Sequence, residues 1–448
     1  MTPWAPTGPP KMRDLSESSQ TPHIWPRHPE GVVVDPVLPA APYLFGEHAH
    51  DLVAAGVSAL GGRLHRLEVA HVGYRPERDL AVRYRADVSW ADGEPVEETL
   101  LAGTTIDGPP PGTLPLEAGD LSVGLWRYPF DPRLPGLAAA VVPREVLALV
   151  GPFVGDHVRL RVRSYRPTRR AVVHVVGDRG ELYLKVLPVD AVAGLVDLHD
   201  QLIRTMPVPE VVGVDTDAGI VALRALPGET LRARITSGRP PWPDADAVLD
   251  VLDRLAGAVV PADRPPVPAP RRTAHHHADL VARVLPAATD RLHALCAALG
   301  DAAPDTRGVA HGDLHDGQLT VDGDRIVGVL DVDGAGPGDR IDDLGNLLGH
   351  LSTVALAPAL AAGPLPGHVD ALHARLARAV DPVELARAAA ATVVGLSTGP
   401  FRAQDPAWEA ETFRRLDLAA QWLARVGITV DPATGDRRLD ERSLNPAS

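Results

Sequence analysis

The run His311-Gly312-Asp313-Leu314-His315-Asp316-Gly317-Gln318, followed by an apolar stretch ending in Leu330-Asp331-Val332-Asp333, contains the residue types that phosphoryl transfer requires. That reaction needs a carboxylate beside the acceptor hydroxyl and hard oxygen ligands for the Mg²⁺ that neutralises the phosphates. Asp313 is the candidate carboxylate, and the amide oxygen of Gln318 and the carboxylate of Asp331 are candidate metal ligands. Arg325-Ile326-Val327-Gly328-Val329-Leu330 is apolar enough for a short strand, which carries Asp331 back to the loop bearing Asp313 and Gln318. Asp333 lies two residues further on, so a continued strand turns it the same way as Asp331, toward the metal or the acceptor. His315 is assigned a structural part, a ring hydrogen bond that orients the loop, because imidazole is a poor partner for Mg²⁺.

These residues resemble the aminoglycoside phosphotransferase and choline kinase-like branch of the protein-kinase-like fold. That family carries a H-G-D-x-H-x-x-N loop and, further on, an I-D-x-x-x-x-x-x-G-D-x-x-x-D-L segment. Here the second segment reads Leu330-Asp331 through Gly338-Asp339 to Asp343-Leu344. Gln318 stands where the family has Asn; its amide reaches one methylene further and remains a hard-cation ligand. The resemblance implies ATP and Mg²⁺ as cofactors. It also implies an α+β, bilobal protein-kinase-like fold, with an N-terminal cap domain of a helix plus antiparallel sheet and a mostly helical C-terminal lobe. In it, His311 supports the loop, Asp339 braces the catalytic loop next to the substrate, and Asp343 starts the following helix and supports the site.

Composition bounds the elements that must position these groups. At 448 residues the chain exceeds one comfortable core. A net charge of −14 argues against a nucleic-acid partner, which selects a basic face. Cys296 is the single cysteine, so no intramolecular disulfide is possible, and its apolar helical surroundings read as core. No apolar run is long enough to span a bilayer and the N-terminal stretch lacks a hydrophobic leader, so no membrane partner and a cytoplasmic location are expected. The expected organisation is a flexible Pro- and Ser-rich tail over 1–30, a cap domain over 31–150, and a small nucleotide-binding lobe over 151–226. A helical catalytic and acceptor-binding lobe over 227–430 and a polar tail over 431–448 complete it.

Alternation in Leu67–Val72 and Leu80–Val88 predicts a hairpin after a helix over 47–60, and 158–164, 171–176 and 182–187 predict the sheet of the small lobe. Tyr74-Arg75-Pro76 and Tyr165-Arg166-Pro167 echo each other. The echo reads either as a shared turn or as a duplicated lobe, the first copy being a cap that has lost nucleotide binding, as in kinases that resemble maltokinase. Lys185, alone in its apolar strand, is the candidate partner of the nucleotide phosphates, where the first copy has only Arg83 and Arg85 in a comparable strand. The following helix has no Glu to orient that lysine, which leaves Asp197, Asp200 or His199. With no glycine-rich loop, Arg169 and Arg170 are candidates for phosphate contact. A hinge over 220–229, with Arg224 and Leu226, offers backbone groups to the adenine edge.

For the acceptor, acidic walls around Asp313 favour an amine-bearing substrate. Trp422 offers a face for a sugar ring with Gln421 beside it, or is core filler, the commoner fate of tryptophan. The resemblance is nearest to actinobacterial glucosamine kinases and maltokinase-like enzymes. The expected function is an ATP-dependent sugar kinase converting glucosamine to glucosamine 6-phosphate. The alternatives are a maltose kinase, an aminoglycoside phosphotransferase, or a catalytically inactive nucleotide-binding module. Either a monomer or a homodimer fits.

Overall fold

The computed structural model describes residues 35–46, 48–91, 93–118, 121–301, 308–430 and 437–439; the expected tail over 1–30 and most of that over 431–448 lie outside them. The architecture is mixed, with antiparallel sheets in the N-terminal part and helices in the C-terminal part. The chain divides into two compact units. One runs to Val192 and adds Gly213–Ala222 and Gly399–Trp408; the other comprises Ala193–Val212, Leu223–Thr398 and the chain from Glu409.

The first unit builds the same plan twice. Helices α1 (Ala41–Phe45) and α2 (Ala49–Ala59) precede strands β1 (Gly62–Arg75), β2 (Asp79–Trp90), β3 (Val96–Thr105), β4 (Leu114–Ala118) and β5 (Leu121–Arg127). Helices α3 (Leu137–Ala140) and α4 (Pro143–Val154) precede β6 (Val158–Arg166), β7 (Arg170–Gly177), β8 (Glu181–Val186), β9 (Val211–Asp215) and β10 (Ile220–Arg224). The sheet orders correspond, β1-β2-β3-β5-β4 and β6-β7-β8-β10-β9.

The residues that pin each copy also correspond. Asp35-Pro36-Val37-Leu38-Pro39 opens the first and Asp131-Pro132-Arg133-Leu134-Pro135 the second. The carboxylate of Asp35 accepts the hydroxyl of Tyr74 at 2.7 Å and the backbone N–H of Glu77 at 2.9 Å. That of Asp131 accepts the hydroxyl of Tyr165 at 2.7 Å and the backbone N–H of Thr168 at 2.8 Å. Glu77 and Thr168 hold φ of 58° and 60°. Left-handed backbone costs such residues about 1–2 kcal/mol, which the bonds to aspartate offset. The Tyr-Arg-Pro echo therefore belongs to a duplicated lobe rather than to a shared turn alone.

Register corrects the strand compared with β8. Counted from the matched turns, Lys185 opposite Val172 corresponds to Gly103 of β3 opposite Ala81, whereas Arg83 and Arg85 lie on β2. A Cβ at Gly103 would stand 2.6 Å from the carbonyl oxygen of Leu80, so the first copy has no room for a lysine there.

In the second unit, α5 (Val192–Leu202) is followed by α6 (Leu231–Thr236), α7 (Ala245–Ala256), α8 (Pro270–Val284), α9 (Thr289–Leu299) and α10 (Arg340–Val354). Helices α11 (Pro358–Ala361), α12 (Leu365–Leu376) and α13 (Pro382–Leu396) come next, then α14 (Gly399–Arg402) of the first unit and α15 (Trp408–Ala424). Helix α13 is the axis of the core, buried from Leu385 to Val394 except at Arg387. Its start is set by Asp381, whose side chain accepts the N–H groups of Val383 at 2.8 Å and Glu384 at 3.1 Å, with Pro382 in the first turn. Small residues let α10 lie against it: a Cβ at Gly345 would collide with Ala388, and one at Gly349 would lie 2.8 Å from the Cβ of Thr392. Leu344, Leu347, Leu348 and Leu351 of α10 are fully buried, each contributing about 1.5–3 kcal/mol.

Among the described residues three short sheets complete this unit: β11 (Glu229–Thr230) with β13 (Leu319–Asp322) and β14 (Arg325–Val329), β12 (Gly308–Ala310) with β15 (Gly336–Gly338), and β16 (Ile428–Val430) with β17 (Arg437–Leu439). Cys296 is buried in α9, and burial pushes its thiol up to about 11. Among the described residues, no helix is long and apolar enough to cross a membrane.

Candidate active site

The loop from His311 to Gln318 joins β12 to β13, and it is held from both sides. Gly312 has φ 85°, and a Cβ there would meet Val267 at 2.8 Å, so the position needs glycine. The carboxylate of Asp343, buried in the first turn of α10, accepts the backbone N–H groups of His311 at 2.7 Å and Gly312 at 2.9 Å. Burial pushes the Asp343 carboxyl up, while His311 and those two N–H groups pull it down. The ring of His311 donates from Nε2 to the carbonyl of Leu330 at 2.8 Å and accepts the N–H of Asp313 at 3.2 Å, tying the loop to the end of β14. Asn346 reaches the carbonyl of Gly312 at 3.5 Å and accepts from Thr392 at 2.8 Å. Asp316 is completely buried; it accepts from the guanidinium of Arg232, and its carbonyl accepts the Arg232 N–H at 2.9 Å. Against these anchors, the side chain of Asp313 is exposed.

The backbone of Gln318 and Leu330 is paired at 2.7 Å, which brings the Gln318 side chain to 3.4 Å from the carboxylate of Asp331. Asp331 stands at φ 52° and ψ 44°, a conformation that Asp tolerates better than most residues, and it ends the extended run. The contact is a hydrogen bond from the amide nitrogen, but the same two side chains also carry an amide oxygen and a carboxylate, hard oxygen donors of the kind Mg²⁺ takes, so the residues present fit that ion.

His315 stacks on His350 of α10, ring centroids 4.3 Å apart and planes 15° apart. Burial pushes both imidazoles below their ordinary range, that of His350 to about 3. A nitrogen of each ring and an oxygen of Asp313 lie within 4.8 Å of one another. Lone pairs lie in the ring planes, however, and nearly parallel planes do not converge on a common ion. The pair is a stack, not a metal centre.

Four expectations need correction. Asp333 does not share a strand face with Asp331, because the chain turns at Asp331 into a 3-10 turn over Val332–Gly334, and Arg264 binds the carbonyl of Asp333. Asp339 does not brace the loop: its carboxylate caps α10 by accepting the N–H of Ile341 at 2.9 Å, and Asp343 does the bracing. Trp422 is 1% exposed, with His373 at its edge 5.1 Å away and the guanidinium of Arg425 over its face at 4.7 Å, so it is core and offers no sugar platform; Gln421 is exposed. The N–H of Arg224 is committed to the carbonyl of Glu210 at 2.9 Å and its side chain to Glu210 at 2.7 Å, which removes that donor from a hinge.

Leu226 lies over Gly328, where a Cβ would meet it at 2.5 Å. Lys185 is buried in β8 of the first unit, between Leu184 and Val186. His199 is buried and bonds the carbonyl of Pro209 at 2.8 Å, while Asp197 and Asp200 are exposed. The contributions of Arg232, His350 and Arg264 carry no motif; each is a single residue far along the chain from its partner.

The sequence model of the phosphotransferase enzyme family, APH, matches residues 168–378. No curated protein matches the chain. Solved structures similar to it include aminoglycoside phosphotransferase APH(4)-Ia, at 16% identity and TM-score 0.42 over 64% of this chain and 99% of that one. The GDP complex of wild-type aminoglycoside 2'-phosphotransferase-IIIa is 16% identical with TM-score 0.40, over 62% and 98% of the two chains. Macrolide 2'-phosphotransferase MphH from Brachybacterium faecium is 20% identical with TM-score 0.36, over 59% and 93%. The segment that carries Lys185, Asp313, Gln318 and Asp331 is thus the segment that matches the phosphotransferase enzyme family.

Proposed function

We propose that this chain is an ATP- and Mg²⁺-dependent phosphotransferase whose acceptor is a hydroxyl of a small amino sugar, with glucosamine giving its 6-phosphate as the first choice. The observation that carries the reading is the exposed carboxylate of Asp313 on a loop whose neighbours are buried and tied, beside the converging side chains of Gln318 and Asp331. Asp313 accepts the hydroxyl proton or orients that hydroxyl, and the anchored loop keeps the carboxylate in place while it does so. Gln318 and Asp331 hold the metal, which when bound neutralises charge on the phosphate oxygens. Lys185 is assigned to the nucleotide phosphates. Asp313 and Asp331 favour an acceptor carrying an amine, in a chain whose net charge is −14.

The test is ATP consumption across glucosamine, glucose, N-acetylglucosamine, maltose and kanamycin, with Asp313→Ala as control. Turnover confined to glucosamine supports the proposal. Turnover on maltose or kanamycin alone moves the acceptor to one of those classes. Nucleotide binding with no turnover on any compound favours a nucleotide-binding module without catalysis.

A further inference from the structure

We propose that His315 and His350 are positioning residues that fix the orientation of the Gln318 side-chain amide, turning its oxygen rather than its nitrogen toward Asp331. This rests on the reading of Gln318 and Asp331 as cation ligands. The backbone N–H of Gly317 donates to Nδ1 of His315 at 2.9 Å. A backbone N–H can only donate, so Nδ1 carries the lone pair and the ring proton is on Nε2. That Nε2 lies 3.3 Å from the Gln318 amide atom placed as nitrogen, which sets two donors face to face. Nitrogen and oxygen of an amide exchange by a half-turn that leaves its outline unchanged. After it, the oxygen accepts from Nε2 of His315.

The atom that faces His315 is also the one that faces Asp331, so the same half-turn changes that contact too. Its nitrogen, as a donor 3.4 Å from Asp331, closes the site on itself. Its oxygen at that place faces the carboxylate oxygen, and two acceptors so close call for a cation between them. Two oxygens at right angles on Mg²⁺ are about 3 Å apart, near the separation already present. The tautomer of His315 therefore selects the metal-ready orientation. Glutamine has one more rotatable bond than the asparagine it replaces, so its amide has more to be fixed. His350 supplies the fixing surface, stacked on the His315 ring from α10. Asp343, Asn346 and His350 recur along one face of that helix, and they hold the start of the loop, the carbonyl of Gly312 and the ring of His315 respectively.

The experiment combines ¹⁵N NMR of the labelled histidine rings with Mn²⁺ affinity by electron paramagnetic resonance in the presence of ADP, on variants shown to be folded by thermal melting. His315 is expected to be protonated at Nε2. His315→Asn keeps an acceptor for Gly317 and removes the Nε2 proton, and it should weaken Mn²⁺ about 10–100-fold. His350→Ala should weaken it in the same direction, and His350→Phe, which keeps a stacked ring, should restore it. In a Gln318→Glu background both terminal atoms are oxygens, so the His315→Asn loss should disappear. A proton on Nδ1, or an equal loss in the Gln318 and Gln318→Glu backgrounds, overturns the inference while leaving the proposed function standing. Failure of the unaltered protein to bind Mn²⁺ at all overturns the ligand reading itself, and this inference with it.

Discussion

The carboxylate of Asp343 accepts the backbone N–H of His311 at 2.7 Å, across 32 positions of sequence. A helix residue thereby sets the path of the loop that presents Asp313. Asp343→Ala leaves the buried N–H groups of His311 and Gly312 without their acceptor, and the loop moves to find others. Displacing a reacting group by ~1 Å costs about 100-fold in rate. The proposed phosphoryl transfer, followed by ATP consumption, should fall by about that factor in a protein that still melts cooperatively. Undiminished transfer would show that the loop keeps its path unaided.

Arg232 and Asp316 make a second anchor, with the carboxylate completely buried and the guanidinium partly open to solvent. Arg232→Met leaves a buried charge unpaired, expected to cost about 3–5 kcal/mol. Adding Asp316→Leu removes the orphaned charge and should recover most of that loss. Denaturant unfolding of the two variants measures both. Equal stability of the single and double variants would mean that Asp316 finds another partner.

Much of this was legible in the sequence, because the candidate site residues sit in one short segment. Asp313, Gln318 and the short strand before Asp331 all follow from residue type and alternation. What stayed hidden was set by turns and by distant partners. The left-handed conformation of Asp331 ends the extended run two residues before Asp333, and no pattern of alternation announces it. Trp422 and a surface tryptophan read alike until packing decides between them. Arg232 and His350 meet the loop through the tertiary fold alone. The duplication was half visible: Tyr-Arg-Pro stood out, whereas Asp-Pro-x-Leu-Pro at Asp35 and Asp131 was there to be found and gains its meaning from the hydrogen bonds it makes.

The paired aspartates separate the two copies by experiment. Asp35→Ala and Asp131→Ala each remove bonds from a charged group to a tyrosine hydroxyl and to a left-handed turn residue, at a cost on the order of 3 kcal/mol. Both variants should therefore melt lower. The turn held by Asp131 belongs to the sheet that carries Lys185, while the turn held by Asp35 belongs to the sheet with Gly103 in its place. Asp131→Ala is thus expected to weaken ADP binding, read by calorimetry, and Asp35→Ala to leave it unchanged. Equal weakening by both would contradict that division of labour.

Asp342, beside the brace, makes stability depend on pH. Burial first, then the like charges of Asp339 and Asp343, push its carboxyl up to about 7 from an ordinary 3.8, with Arg271 and Arg272 opposing. The folded chain therefore holds a proton that the unfolded chain has released between about pH 4 and pH 7. Stability contributed at this position falls as pH rises through that window, because ionisation then costs the folded state more than the unfolded one. Asp342→Asn, which cannot ionise, should melt about 2–4 °C above the unaltered protein at pH 8, the shift that 1 kcal/mol makes in a domain of a few hundred residues. At pH 4 the two should melt together. Melting curves collected in parallel across that range check both ends, and a gap that widens on acidification would place the ionised form, not the neutral one, in the folded protein.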